Sequence, residues 1–147
     1  MPYTNRELFA RLLKCEAGGE GIEGLRAVSS VVMNRVLVQY GEYFRLCQGD
    51  IRCVIEQIDQ FTCMKEVVGG QYNPQNVYNS EPEDIHYEIA DWAMSGNIFN
   101  PVSNSLWYFN PFNPECPSYF PYNGSGLIHN RIVQHCFYIP TQKYAQT

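Results

Sequence analysis

At 147 residues the chain has the length of one domain with one sizeable core. Its 45% hydrophobic and 17% charged residues describe a folded protein rather than a disordered one. A net charge of −5 with no polybasic run argues against nucleic acid or an anionic membrane as main partner, and no apolar stretch reaches membrane-spanning length.

The first residues, MPYTNRELFARLL, lack an apolar segment followed by a small-residue cleavage site. The expectation is therefore a chain made in the cytoplasm without a signal peptide. Thr4-Asn5-Arg6-Glu7 has the form of a capping box and opens a helix whose apolar stripe is Leu8, Phe9, Leu12 and Leu13. At about 100° per residue, Glu16 projects between the two leucines, about 40° from Leu12 on one side and about 60° from Leu13 on the other. Its carboxylate thus shares the buried face, where an unpaired charge is costly.

Gly18-Gly19 end this helix before Glu20. A second helix is predicted over about 23–39, from the spacing of Leu25, Val28, Val31, Val32 and Val36, with Gly41 just beyond it. Residues 50–58 read as a short helix, and Gln60-Phe61-Thr62 as a turn or short extended piece. Gly69 to Ser80 reads as loop. Glu83 to Ser95 is a further helix that Gly96 closes. Past Asn100-Pro101, residues 105–109 read as a strand, a Pro- and Asn-rich loop runs to Gly126, and 131–138 read as a final strand. The predicted class is α+β, one domain over 1–147, with a helical lobe over about 1–100 and a smaller β-containing part over about 101–147.

Aromatics reach 14%, with 11 Tyr and 8 Phe. Rings outside helices suit stacking on sugar faces, and stiff loops use the same residues. The six cysteines, at 15, 47, 53, 63, 116 and 136, show no C-x-x-C pair. Buried thiols are the ordinary expectation and disulfides the alternative; spacing does not pair them. His86, His129 and His135 are widely spaced and carry no metal-binding pattern, so no metal is expected, and His135 reads as a structural histidine.

A glutamate on an apolar helix face beside a glycine turn suits a general acid, because apolar surroundings keep a carboxyl protonated near neutral pH. Two readings of Glu16 stay open at this point. It either buries against an arginine or caps the next helix, or it donates a proton to a leaving group. Glu20 and Glu23 read as turn residues favouring the N-terminus of the second helix, and Arg35 as the partner of one of these acids.

The stretches Glu16-Ala17-x-Gly19-Glu20-Gly21, Glu23-Gly24 and Val31-Val32-x-Asn34-Arg35 resemble the signature of the SleB/CwlJ cell-wall hydrolases of spore-forming bacteria. Gln60-Phe61-Thr62 and Trp107-Tyr108-Phe109-Asn110-Pro111 are similar to later elements of that family. The tail, with Cys116-Pro117 and His135-Cys136-Phe137-Tyr138-x-Pro140-Thr141, looks like the CwlJ branch. Gly18 stands where many members have Arg, and Thr62 where Ser is common.

The resemblance implies a lysozyme-like, lytic-transglycosylase-like fold and cleavage of spore-cortex peptidoglycan in germination. It makes Glu16 the catalytic acid/base, a chemistry that needs no metal or organic cofactor. Gln60, Thr62, Tyr108 and Asn110 become candidate sugar contacts, with Glu20 and Arg35 as structural support. It also implies deposition from the mother cell at the boundary of spore coat and cortex, with a coat protein as a further partner. The alternatives are an N-acetylmuramoyl-L-alanine amidase and a non-catalytic coat or peptidoglycan-binding protein cross-linked through its cysteines.

Overall fold

The computed structural model describes residues 3–58, 60–121 and 123–147; Tyr122 of the expected 113–126 loop and the first two residues lie outside that set. Helix α1 spans Asn5–Ala17, and the Thr4 hydroxyl accepts the Glu7 N–H at 3.1 Å. Only half of the expected capping box forms, because the Glu7 carboxylate turns to Arg11 at 2.8 Å. The predicted stripe is the core-facing one: Leu8, Phe9, Leu12 and Leu13 are fully buried.

Helix α2 spans Gly21–Leu37, two residues earlier than expected at each end. Gly21 starts it at φ 72°, a backbone shape that glycine adopts without steric cost. Helix α3, Gly41–Cys47, escaped the pattern reading. Only Tyr43 and Cys47 of it are buried, while Phe44 and Leu46 face solvent, so its apolar residues mark no single face. Helix α4 is Ile51–Glu56, N-capped by Asp50, and a 3₁₀ turn follows at Thr62–Met64. Helix α5, Asp84–Met94, packs with α1 and α2 around the aliphatic core, and Gly96 follows at φ 97° as expected of a residue beyond a helix end.

Part of the expected loop over 69–80 is a hairpin. β1, Val67–Val68, pairs with β2, Gln71–Tyr72, around Gly69 and Gly70 at φ 60° and 81°. Two central residues of positive φ make the tight turn that matches strand twist. All four strand residues are exposed, so no alternation betrayed them.

The second sheet is antiparallel in the order β3-β5-β4, with β3 at Trp107–Phe109, β4 at Gly126–Ile132 and β5 at His135–Pro140. The strand expected over 131–138 straddles the hairpin turn between β4 and β5, where Ile132 pairs with His135. The turn contains Val133 at φ 54°, a conformation in which a β-branched residue is an outlier. No Gly or Asn marks it, and the apolar run reads as one strand. A short helix α6, Gln142–Ala145, ends the fold.

Strand β5 faces two cores, as alternation requires. Phe137 enters the aliphatic cluster of the helices, whereas Cys136 and Tyr138 join Tyr43, Leu106, Trp107 and Tyr144 in an aromatic cluster. The thiol expectation is overturned: all six cysteines are paired, as Cys15–Cys63, Cys47–Cys53 and Cys116–Cys136. Cys15–Cys63 and Cys47–Cys53 each join elements that are already packed together, and Cys116–Cys136 ties a loop to β5, a geometry that spacing along the chain does not reveal. Among the described residues no helix is long and apolar enough to cross a membrane.

Candidate active site

The site forms where the last turn of α1 meets β3. Glu16 keeps the phase set by Leu12 and Leu13, so its side chain enters the seam between helices and sheet and is half-buried there. The Tyr108 hydroxyl donates to Glu16 Oε1 at 2.5 Å. The Cys63 backbone N–H, from the 3₁₀ turn, also favours the charged carboxylate. Burial outweighs these donors and pushes the Glu16 carboxyl above its ordinary range; Tyr108, the positive charge of Arg35 and the Cys63 N–H pull it back.

Tyr108 is placed by helix α2. The Asn34 side-chain amide donates to the carbonyls of Ser103 and Ser105 at 2.9 and 3.0 Å, and Arg35 Nε donates to that of Leu106 at 2.7 Å. Adjacent residues of one helix thus pin the segment that leads into β3. Within the sheet, Tyr108 pairs with Phe137, stacks on its ring at 5.8 Å, and meets the His135 ring edge-on at 5.2 Å. Burial and the negative charge of Glu16 raise the Tyr108 phenol well above its usual value, so it stays a donor.

Arg35 is 4% exposed, and the expected ion pair with an acid is not how it is satisfied. Its guanidinium is held by the Leu106 carbonyl, by Gln60 Oε1 at 3.4 Å, and by the rings of Tyr43 and Phe61 at 4.8 and 5.1 Å. Among the described residues no ion pair joins it to an acid. A planar fork over aromatic faces suits arginine, and its charge reaches Glu16 through space.

Glu20 precedes α2 but does not cap it. Its carboxylate crosses to the sheet, where it accepts the Gln134 N–H at 3.0 Å and pairs with His135 Nδ1. Gly24 makes room for this crossing, since a Cβ there would stand 2.5 Å from Glu20 Cβ. His135 is the satisfied structural histidine expected of it; burial lowers its pKa against the pull of Glu20. Of the other histidines, His86 Nδ1 accepts the Glu83 N–H at 2.9 Å and His129 is exposed.

A cleft of about 220 Å³ opens beside this centre, lined by Arg35, Glu42, Tyr43, Gln60, Trp107, Tyr108, Phe120 and Pro121. Of the four candidate sugar contacts it gathers two, Gln60 and Tyr108. Gln60 Oε1 already accepts the Tyr43 hydroxyl at 2.8 Å, so its amide NH₂ is the group left for a ligand. Thr62 is exposed on the neighbouring turn, outside the cleft lining. Asn110 also lies outside it, and its Oδ1 accepts the Phe112 N–H at 2.8 Å in a tight turn. Pattern reading passed over Tyr43 and the Cys15–Cys63 bond. A tyrosine four residues before a cysteine, both buried, is the faint helical signal for Tyr43; the bond left no signal.

Residues 19–138 match the family model described as Cell Wall Hydrolase, a span that opens three residues after Glu16. The chain belongs to the cell wall hydrolase family. Curated relatives place it on the CwlJ branch. It is 35% identical to Cell wall hydrolase CwlJ of Bacillus subtilis over 135 residues, which cover 92% of this chain and 84% of that protein. It is 31% identical to CwlJ of Oceanobacillus iheyensis, over 92% of this chain and 86% of that one. Both alignments are longer than the family-model match.

The fold matches the catalytic domain of the germination-specific lytic transglycosylase SleB from Bacillus anthracis, with a TM-score of 0.65, 22% identity, and coverage of 93% of this chain and 97% of that one. The catalytic domain of Bacillus cereus SleB gives a TM-score of 0.60 at 22% identity, over 91% and 88%. The lysozyme-like α+β architecture predicted for the chain is the observed one.

Proposed function

We propose that this cell wall hydrolase cleaves the glycan strand of spore-cortex peptidoglycan during germination, with Glu16 as its single acid/base. The observation that carries the reading is the half-buried Glu16 carboxyl. Burial raises its proton affinity, and one oxygen is fixed by Tyr108, which also lines a cleft of rings and the Gln60 amide. A protonated carboxyl there gives its proton to the glycosidic oxygen as the C–O bond breaks. The resulting carboxylate takes the proton of the muramic C6 hydroxyl, whose oxygen closes on C1 to form a 1,6-anhydro ring. One carboxylate suffices for both transfers, whereas ordinary glycoside hydrolysis uses two. Glu20, the other acid of the motif, is committed to His135 and Gln134.

Gln60 and Tyr108 are the sugar contacts this reading favours; Thr62 and Asn110 extend the contact beyond the cleft. Glu20 and Arg35 act as scaffold. Three disulfides suit residence outside a reducing compartment, consistent with a place between spore coat and cortex. Their in-chain pairing leaves no thiol for cross-linking to a coat partner.

Digestion of purified cortex by the protein and by Glu16→Gln, followed by mass spectrometry of the muropeptides, tests the reading. Anhydro-muropeptides are expected from the wild type alone, with loss of at least about 10²-fold in the variant. Reducing ends without anhydro products would replace it with plain hydrolysis, and free peptide stems with an amidase. Undiminished release by Glu16→Gln would remove Glu16 from its role.

A further inference from the structure

The Cys15–Cys63 bond stands at the one place where a covalent link touches both sides of the acid. Cys15 is the residue immediately before Glu16 in the last turn of α1. Cys63 lies in the 3₁₀ turn Thr62–Met64, and its backbone N–H is the last of the groups that favour the ionised Glu16 carboxylate. The two Cα atoms are 6.2 Å apart across 48 residues of sequence. Other ties on the turn come from the chain beyond it: Asn73 Nδ2 donates to the carbonyls of Thr62 and Lys65 at 3.3 and 3.0 Å, and the buried Phe61 anchors its start. Phe61 also packs in the aliphatic cluster with Leu12, Leu13 and Ala17 of α1, but none of these ties is covalent or reaches the residue beside Glu16.

We propose that the Cys15–Cys63 disulfide is a positioning element for the acid: it clamps the 3₁₀ turn to the helix end so that the Glu16 carboxylate keeps its place against the Tyr108 hydroxyl. The proposal rests on the assignment of Glu16 as acid/base for its catalytic meaning, but its geometric content stands without it. The other two bonds do no such work. Cys47–Cys53 closes six residues between α3 and α4, and Cys116–Cys136 ties the loop after β3 to β5 within the aromatic cluster.

The sign of the effect follows from what faces the carboxylate. Tyr108 from β3, the Cys63 N–H from the turn and the charge of Arg35 from α2 all favour the ionised form, while burial opposes it; Glu20 and His135 sit one step away, behind Tyr108. Releasing the turn removes one donor that favours ionisation, so Glu16 holds its proton to higher pH.

The experiment compares the wild type, Cys15→Ser/Cys63→Ser and the control Cys47→Ser/Cys53→Ser, each assayed below its own melting temperature. The expected result for the first double variant is a kcat lower by about 10²-fold at an unchanged KM, the scale of a misplaced catalytic group. The alkaline limb of its pH profile moves upward, while the control keeps both the wild-type limb and KM. Side-chain carboxyl NMR follows the Glu16 titration directly, with Glu16→Gln identifying the signal, and reports whether or not the variant turns over substrate. A Glu16 titration unchanged in Cys15→Ser/Cys63→Ser, with kcat within about twofold of the wild type, overturns the clamp and leaves the role of Glu16 intact. A displaced titration in a protein whose Glu16→Gln variant is fully active keeps the clamp and removes the catalytic reading.

Discussion

The helical half and the three-stranded sheet are built from different materials. Around α1, α2 and α5 the interior is aliphatic, with Leu8, Leu12, Leu13, Val28, Val31 and Val32 fully buried. Beneath β3 and β5 it is a pile of rings: Trp107 and Tyr144 meet edge-on at 5.5 Å, and Phe109 stacks on Phe120 at 4.4 Å. An aliphatic wall raises the proton affinity of a carboxyl but offers it no partner. An aromatic wall with tyrosines offers hydroxyl donors. The seam between them supplies Glu16 from one side and Tyr108 from the other.

Phe137 is where the two materials interlock, since it leaves the sheet to enter the helical core. Phe137→Ala is expected to cost about 3–5 kcal/mol, the range for a fully buried ring, measured by denaturant unfolding. It also removes the ring on which Tyr108 stacks, so activity should fall in the folded fraction. A loss below about 1 kcal/mol would mean that the two halves are not held together there.

The disulfides sharpen the same contrast. Chain entropy alone assigns about 4 kcal/mol to Cys15–Cys63, which spans 48 residues, and about 3 kcal/mol to Cys116–Cys136, which spans 20. Cys116→Ser/Cys136→Ser should therefore lower stability by about 3 kcal/mol in equilibrium unfolding. The Glu16 titration should remain in place, because that bond lies in the ring cluster, away from the acid. Movement of the titration in this variant would show that the sheet, too, transmits its packing to Glu16.

The aliphatic half was readable from the sequence because its periodicity is strong: Leu8, Phe9, Leu12 and Leu13 declare a face, and Glu16 inherits it. The sheet half was not. Strands β4 and β5 run together in the sequence because Val133 turns the chain where a glycine would ordinarily stand. Hairpin β1–β2 shows no alternation because neither of its faces is covered. The site divides along the same line. Glu16 follows from helical phase, and Asn34 and Arg35 from their motif. Their actual partners, three carbonyls on the way into β3, depend on tertiary placement that no local pattern encodes. The Glu20 crossing to His135 is of the same kind, a contact over more than 110 positions.

Gly24→Ala tests that crossing. The added methyl would stand 2.5 Å from Glu20 Cβ, a distance that the two backbones must open. A loss of about 1–3 kcal/mol is expected in thermal or denaturant unfolding, the scale of overpacking. As Glu20 is displaced, the His135 imidazole loses the charge that favours its protonation. Its titration by NMR should therefore move down from an already lowered value. An unmoved His135 titration together with unchanged stability would show that α2 and the β4–β5 turn are not coupled through Glu20.

The smallest effect has the opposite sign. Glu16→Gln should stabilise the fold, because the native state keeps a carboxyl where burial disfavours its charge. The folded pKa lies above the unfolded one, so the wild type is held fully at pH values below the unfolded pKa. It loses stability as pH rises through the folded value, because the unfolded chain releases this proton more readily. Glutamine has no proton to lose, and its side-chain oxygen still accepts the Tyr108 hydroxyl. Thermal melts from pH 4 to pH 8 should show Glu16→Gln matching the wild type at the acid end and exceeding it by about 1 kcal/mol near neutrality. A variant less stable than the wild type at pH 7 would mean that Tyr108, Arg35 and the Cys63 N–H outweigh burial. The aliphatic wall would then be a setting for an ionised carboxylate rather than the source of its proton affinity.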